Sequence, residues 1–224
     1  MLSIAPQQCL ICAEFFLSFG VCEVCFSQLK QKQPPRCEGC GTMISPVGSH
    51  FRCIDCLTAP PPFTYFYTSF DYLPIAGRLV KEAKSNARAK LLSQLLSAVD
   101  KDSLSTMLET VDVIVPIPDR RQRFWQRGFS AARMIASLLG NIETGPPVRF
   151  QLRWRKTTER QTALSRAQRQ RNVGGSFYSR RVEGLKVLVV DDVCTTTSTL
   201  REATKALKRA GADEVRAYAL CTKT

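Results

Sequence analysis

Four Cys-x-x-Cys pairs in the first 56 residues leave this chain few ways to begin: Cys9/Cys12, Cys22/Cys25, Cys37/Cys40 and Cys53/Cys56. Two thiolates separated by two residues can share one metal, because the turn between them points both sulfurs inward, and zinc takes four ligands at tetrahedral angles. Four pairs supply enough sulfur for two sites of four cysteines each. All-cysteine ligation leaves no coordination position open for catalysis, so two structural Zn2+ ions are expected. Sequential use of the pairs (Cys9, Cys12, Cys22, Cys25, then Cys37, Cys40, Cys53, Cys56) gives two small ribbons. Interleaved use gives a cross-braced module. The sequential arrangement is favoured, though spacing admits both. His50, the single histidine, reads as a surface residue beside so many thiols.

The run "TAPPPF", Thr58–Phe63, follows at once. Its prolines cannot continue a helix or a central strand, and it reads as a stiff linker. Residues 1–58 are therefore expected to form a zinc-ribbon domain, and residues 63–224 a second domain. In that second part strands and helices alternate. "YFYTSFDY", "VDVIVPIP", "KVLVV" and "EVRAYALCT" read as strands. One helical pattern runs from Pro74 to about Val99, a second covers "FSAARMIASLLG", and a third, "TLREATKALKRAG", has Gly211 as its C-cap. The pattern predicts an α/β domain with a parallel sheet and helices on both faces. The start of the chain shows no basic n-region, and Glu14 and cysteines interrupt its apolar part. No apolar run nears the roughly 18 residues of a membrane span. A cytoplasmic protein is expected, with its cysteines on metal rather than in disulfides.

The formal charge is +13, from 32 Lys and Arg against 19 Asp and Glu. A field of that sign favours polyanions: nucleic acid, phosphorylated small molecules or anionic lipid. The charge is densest between Arg149 and Arg181, where ten basic residues meet one acid. That run has little apolar periodicity and reads as a long, partly mobile excursion from the core, of the kind that carries function.

The stretch "KVLVVDDVCTTTSTL", Lys186–Leu200, carries the chemistry. In an open α/β sheet ligands bind beyond the carboxyl ends of the strands, and Asp191 and Asp192 fall there, after "VLVV". Thr195, Thr196, Thr197, Ser198 and Thr199 then lead into a helix. Such a turn offers N–H groups, hydroxyls and the positive end of a helix dipole to an anion. Two carboxylates beside a phosphate cradle suit a ribose 5-phosphate, whose ring hydroxyls face the acids. A Walker B strand looks similar, but the chain contains no GxxxxGK[ST]. A response-regulator receiver also pairs acids after a strand, but that strand opens its domain. Cys194 lies in this stretch with no base beside it, and Cys221 reads as a core filler.

This segment resembles the phosphoribosyl-pyrophosphate (PRPP) signature of type I phosphoribosyltransferases, and nearly the whole chain is similar to the ComF family, the ComFC competence proteins and their relatives. "VPIPDRRQRFWQRGFSAA" is similar to the family's VPVP…R…RGFNQ segment. "RKTTERQTALSRAQRQRNVGGSF" is similar to its R-x-x-T-x-x-Q…R-x-x-N-V-x-G-x-F segment, and the four CxxC pairs match its N-terminal ribbon. The resemblance implies a type I phosphoribosyltransferase-like fold, PRPP binding with Mg2+, and a role in handling single-stranded DNA during natural transformation beside other DNA-uptake proteins. It further implies that Asp191 and Asp192 hold the ribose hydroxyls, directly or through Mg2+, and that Thr195 to Thr199 hold the 5-phosphate. Arg120, Arg121, Arg123 and Arg127 become pyrophosphate candidates. Arg160, Gln161, Arg166, Arg169 and Asn172 become contacts from a loop that closes over PRPP, and Lys84 is a further cation within reach of an anion.

Two positions depart from the family pattern. Thr197 stands where the loop has glycine, so an altered cradle is expected if the turn needs positive φ. Ser130 and Ala131 replace the asparagine and glutamine of RGFNQ, which removes or weakens those donors. Two function classes follow. One is a PRPP-binding protein that handles single-stranded DNA, with Phe124, Trp125 and Trp154 among the arginines as stacking residues. The other is an active enzyme that moves a phosphoribosyl group from PRPP to an acceptor. A glutamine amidotransferase is not expected, since it needs a glutaminase nucleophile and the cysteines are committed to pairs.

Overall fold

The computed structural model describes residues 6–18, 20–30, 35–44, 51–72, 74–120, 128–143, 145–155 and 175–223. The N-terminal part is one small unit built twice. Strands β1 (Gln7–Gln8) and β2 (Phe15–Phe16) form a hairpin, and helix α1 (Glu23–Ser27) follows. A bridge between Arg36 and Met43 and helix α2 (Ile54–Thr58) repeat the arrangement. In each unit one CxxC sits in a turn, and the other begins at the residue that caps the short helix, Cys22 or Cys53.

The rest is built on β3 (Phe66–Asp71), α3 (Ile75–Ser85), α4 (Lys90–Ser97), α5 (Lys101–Leu108), β4 (Val113–Pro116) and α6 (Ala131–Gly140). It continues with β5 (Leu152–Trp154), β6 (Phe177–Ser179), β7 (Lys186–Cys194), α7 (Ser198–Arg209) and β8 (Glu214–Thr222). The main sheet has the order β3-β8-β7-β4, and every pairing in it is parallel. Successive strand residues face opposite sides. Ile114, Leu188, Val190 and Leu220 thus pack against α3 to α6, while Val113, Val115, Val187, Val189 and Ala217 pack against α7. Burial on both faces is why these strands read as unbroken apolar runs.

Three elements differ from the sequence reading. The helix expected from Pro74 to Val99 is two helices, broken where Ala87 takes a positive φ of 50° after the weak helix formers Ser85 and Asn86. Helix α5 was not anticipated; Asp100 starts it by accepting from the Ser103 N–H at 2.8 Å. The basic excursion is anchored, because β5 and β6 pair antiparallel and bury Leu152 and Phe177 under α7. The cysteine module also joins the main core: Cys9, Val21, Cys25 and Leu29 share one apolar cluster with α3 and α4.

Candidate functional site

Strand β7 runs to Cys194, so Asp191 and Asp192 stand inside the last hydrogen-bonded turns of the strand and not beyond it. The reason is β8, which extends as far and pairs Asp191 with Ala219 and Cys194 with Thr222. Both aspartates still open onto a cleft of about 590 Å3 at the carboxyl ends of the strands. Tyr72 follows β3, Asp119 and Arg120 follow β4, Thr195 follows β7 and Lys223 follows β8; Lys84 comes from α3 and Trp154 from β5. The parallel topology converges the residues that follow the strands, since every strand of the main sheet delivers its carboxyl end to one side.

The electrostatics of the cleft are set by three carboxylates and three cations, Lys84, Arg120 and Lys223. Lys84 Nζ lies 2.7 Å from Asp192 Oδ2. The Asp192 N–H donates to Asp191 Oδ1 at 2.9 Å. Burial of the Asp191 carboxyl, reinforced by the charge of Asp192 and opposed by that N–H and by Lys84, pushes it up to about 7. Asp119 Oδ2 is buried and has no hydrogen-bond partner among the described residues. A buried carboxylate oxygen left without a donor is costly, and a cation in the cleft relieves it. Hard oxygen donors from Asp119, Asp191 and Asp192 fit Mg2+ carried on a polyphosphate. Arg120 lies with its Cζ 4.9 Å from the centre of the Trp154 ring, and Trp154 is fixed by donating to the Pro118 carbonyl at 2.7 Å.

Thr195 and Thr199 line the cleft. Thr196 donates to Ser198 Oγ at 3.2 Å within the turn. Thr197 has φ −69° and ψ 2°. No positive φ is required there, so threonine in place of glycine imposes no backbone strain, and the condition for an altered cradle is not met. Its hydroxyl accepts from Arg201 Nε at 2.9 Å. Ser130 is buried and caps α6, accepting from the Arg133 N–H at 3.4 Å. Cys194 is buried at the end of β7, and burial followed by the Asp191 charge pushes its thiol up to about 12, so it is no nucleophile at neutral pH. Cys221 is fully buried in the core.

The eight N-terminal cysteines gather sequentially, Cys9, Cys12, Cys22 and Cys25 in one group and Cys37, Cys40, Cys53 and Cys56 in the other, with all sulfurs of a group within 4.8 Å of one another. Sγ of Cys12 and Cys22 are 3.7 Å apart, and those of Cys40 and Cys53 are 3.6 Å apart. A tetrahedron with Zn–S arms of about 2.3 Å has edges of about 3.8 Å, so both groups fit zinc. The two centres use matching N–H donors: Ile11 and Cys22 point at Cys9 Sγ, and Gly39 and Cys53 at Cys37 Sγ. Against burial, these donors bring the Cys9 thiol down to about 6 and the Cys37 thiol to about 7. Burial together with the neighbouring thiols pushes Cys25 up to about 12. Four thiolates this close need a cation between them.

A second surface lies on the outer face of the β5–β6 ribbon. Its register sets Arg153 opposite Tyr178, while Trp154 and Phe177 face inward with ring centres 4.2 Å apart. Tyr178 is exposed, Arg155 and Arg180 flank it, and the Arg133 guanidinium covers the exposed Phe150 ring at 4.8 Å. Arg121, Arg123, Phe124, Trp125 and Arg127 lie outside the described residues, as do His50, Arg160, Gln161, Arg166, Arg169 and Asn172. Asp119, Tyr72 and Lys223 were missed in the sequence. Only Asp119 gave a signal there, as the acid that follows a strand in "PIPD".

Residues 108–224 match the family model of the phosphoribosyl transferase domain. The chain is 33% identical to the DNA utilization protein YhgH of Salmonella typhi, over 91% of this chain and 90% of the relative. It is 27% identical to competence protein F of Haemophilus influenzae, over 90% of each chain. It is 26% identical to competence protein ComFC of Bacillus subtilis, over 85% of this chain and 79% of the relative. Among the described residues no helix is long and apolar enough to cross a membrane.

Proposed function

The chain belongs to the ComF family of proteins with a phosphoribosyltransferase-like domain, and from that premise we propose that it binds PRPP with Mg2+ in the Asp191–Asp192 cleft and handles single-stranded DNA during DNA uptake. The observation that carries the small-molecule half is the cleft itself. Asp119, Asp191 and Asp192 line it together with Thr195 and Thr199 of the turn, at the carboxyl ends of a parallel sheet. Asp191 and Asp192 accept from the ribose hydroxyls, and the turn takes the 5-phosphate on its N–H groups. Arg120, held against Trp154, reaches the pyrophosphate. When bound, Mg2+ neutralises the pyrophosphate and gives Asp119 Oδ2 a partner. The DNA half is supported by the names of the relatives and by the basic, aromatic face of the β5–β6 ribbon. In this reading residues 1–58 are a zinc-bound module, residues 63–224 hold the ligand sites, and the protein works in the cytoplasm with other DNA-uptake proteins.

Calorimetric titration of PRPP with Mg2+ tests the cleft. Asp191→Asn with Asp192→Asn keeps the shape and removes the charge, and each charged hydrogen bond so removed is expected to cost about 1.5–3 kcal/mol of binding. Unchanged affinity in the double variant defeats the assignment.

A further inference from the structure

We propose that Arg201 is the positioning residue of the phosphate turn: it holds Thr197 in a conformation that cannot cap its own helix, and so keeps the first N–H groups of α7 open to an anion. This rests on the reading of Thr195–Thr199 as a phosphate cradle, and it explains how threonine can stand where the family pattern has glycine.

Threonine is a capping residue, and capping needs an extended backbone whose side-chain oxygen turns back to the helix N–H groups. The chain does this elsewhere. Asp100, at φ −60° and ψ 131°, caps α5, and Ser130, at φ −114° and ψ 118°, caps α6. Thr197 occupies the same position before α7, yet its ψ is 2° and its side chain makes no capping bond. Its hydroxyl is engaged instead by Arg201 Nε at 2.9 Å, one turn along the same helix face. The two remaining nitrogens of that guanidinium donate to the linker, Nη1 to the Pro60 carbonyl and Nη2 to the Ala59 carbonyl, each at 3.2 Å. A guanidinium is a rigid plane, so fixing two of its edges on the linker fixes the direction of the third. The N–H groups of Ser198, Thr199 and Leu200 consequently find no acceptor among the described residues, and the first intrahelical bond runs from the Arg201 N–H to the Thr197 carbonyl. Without Arg201 the Thr197 hydroxyl is released, its backbone can swing to the extended form, and it competes with the anion for the same donors. A glycine at 197 has no hydroxyl with which to compete.

A double-variant cycle tests this. Ribose 5-phosphate without metal, and PRPP with Mg2+, are titrated calorimetrically into the full-length protein, Arg201→Ala, Thr197→Gly and the double variant. Arg201→Ala is expected to bind ribose 5-phosphate about fivefold more weakly, the worth of one cap. The double variant is expected to bind as tightly as Thr197→Gly alone. Backbone hydrogen exchange should slow at Thr199 and Leu200 in Arg201→Ala and not in the double variant. An equal loss on replacing Arg201 in either background means that the guanidinium acts through charge alone and overturns the proposal, as does no loss in either. If the unsubstituted protein binds neither compound, the cradle reading falls, and the clamp with it, a result distinct from failure of the clamp alone. Arg201→Lys, which keeps the charge but cannot span three acceptors, provides the same comparison should the alanine variant melt early.

Discussion

Asp191 is the residue through which pH should reach the ligand. Its carboxyl sits at about 7 because it is buried beside Asp192, with the Asp192 N–H and Lys84 opposing the rise and Asp119 adding to it. A carboxyl raised above its unfolded value binds its proton more tightly in the fold. Its contribution to stability is therefore complete below the unfolded value near 4 and is lost as pH rises through about 7. Ligand binding runs the other way, because hydroxyls and Mg2+ need the ionised form. Affinity for Mg2+ and PRPP should fall by up to about tenfold per pH unit below 7 and level off above it. Titration calorimetry across pH 5.5 to 8.5 checks this, and Asp191→Asn should flatten the profile. That two acids near the end of a buried strand mark a site was legible in "VLVVDD", because an apolar run has no other use for adjacent charges, though the strand itself runs on to Cys194. The pairing of Lys84 with Asp192 was not, since α3 and β7 lie about 100 residues apart in the chain and only the fold joins them. The conformation of Thr197 was hidden for a related reason. A motif transmits the glycine of its relatives, but not the contact of the Thr197 hydroxyl with Arg201, which also grips the linker at Ala59 and Pro60.

At the scale of elements, the β5–β6 ribbon is the surface on which the proposed DNA contact can be tested. Tyr178 stands between Arg153 across the ribbon and Arg155 and Arg180 along it. Single strands bind such faces through phosphate contacts that release counterions and through bases stacked on rings. Tyr178→Ala should therefore weaken binding by about 1–3 kcal/mol at any salt concentration. Neutralising Arg153, Arg155 and Arg180 should flatten the salt dependence, by about 0.7 in the log–log slope for each phosphate no longer neutralised. Fluorescence anisotropy with an unstructured oligonucleotide measures both, and no binding at micromolar protein removes the DNA reading. The sequence displayed the charge of this region but hid its order. Strands of three residues leave too short a period to read, and Leu152 and Phe177 are buried only because α7 lies over them. The long strands were plain for the opposite reason, since β7 and β8 are covered on both faces and their composition shows it. The break between α3 and α4 escaped because the apolar stripe continues on both sides of it.

Across the whole molecule the cysteine module is part of the core. Cys9 and Cys25 pack with α3 and α4, and Arg36 forms an ion pair with Asp71 at the end of β3. Elemental analysis should find two zinc ions per chain. Metal binding and folding of residues 1–58 should be coupled, so chelation is expected to unfold that segment and lower the melting temperature of the whole; a chelated protein with an intact ribbon would contradict this. The pairing of sulfurs could not be taken from spacing, because sequential and interleaved schemes use the same turns. Among the described residues β3 is the last strand on its side of the sheet, and the cysteine module meets its free edge at the first residue, with the Phe66 N–H donating to the Glu38 carbonyl at 2.8 Å. An uncovered edge strand is a template for another chain's strand. A molecule made when zinc is scarce would thus leave that edge bare and adhere to its own kind. Metal supply would then govern how much protein escapes aggregation and survives in the cell, before any ligand is met.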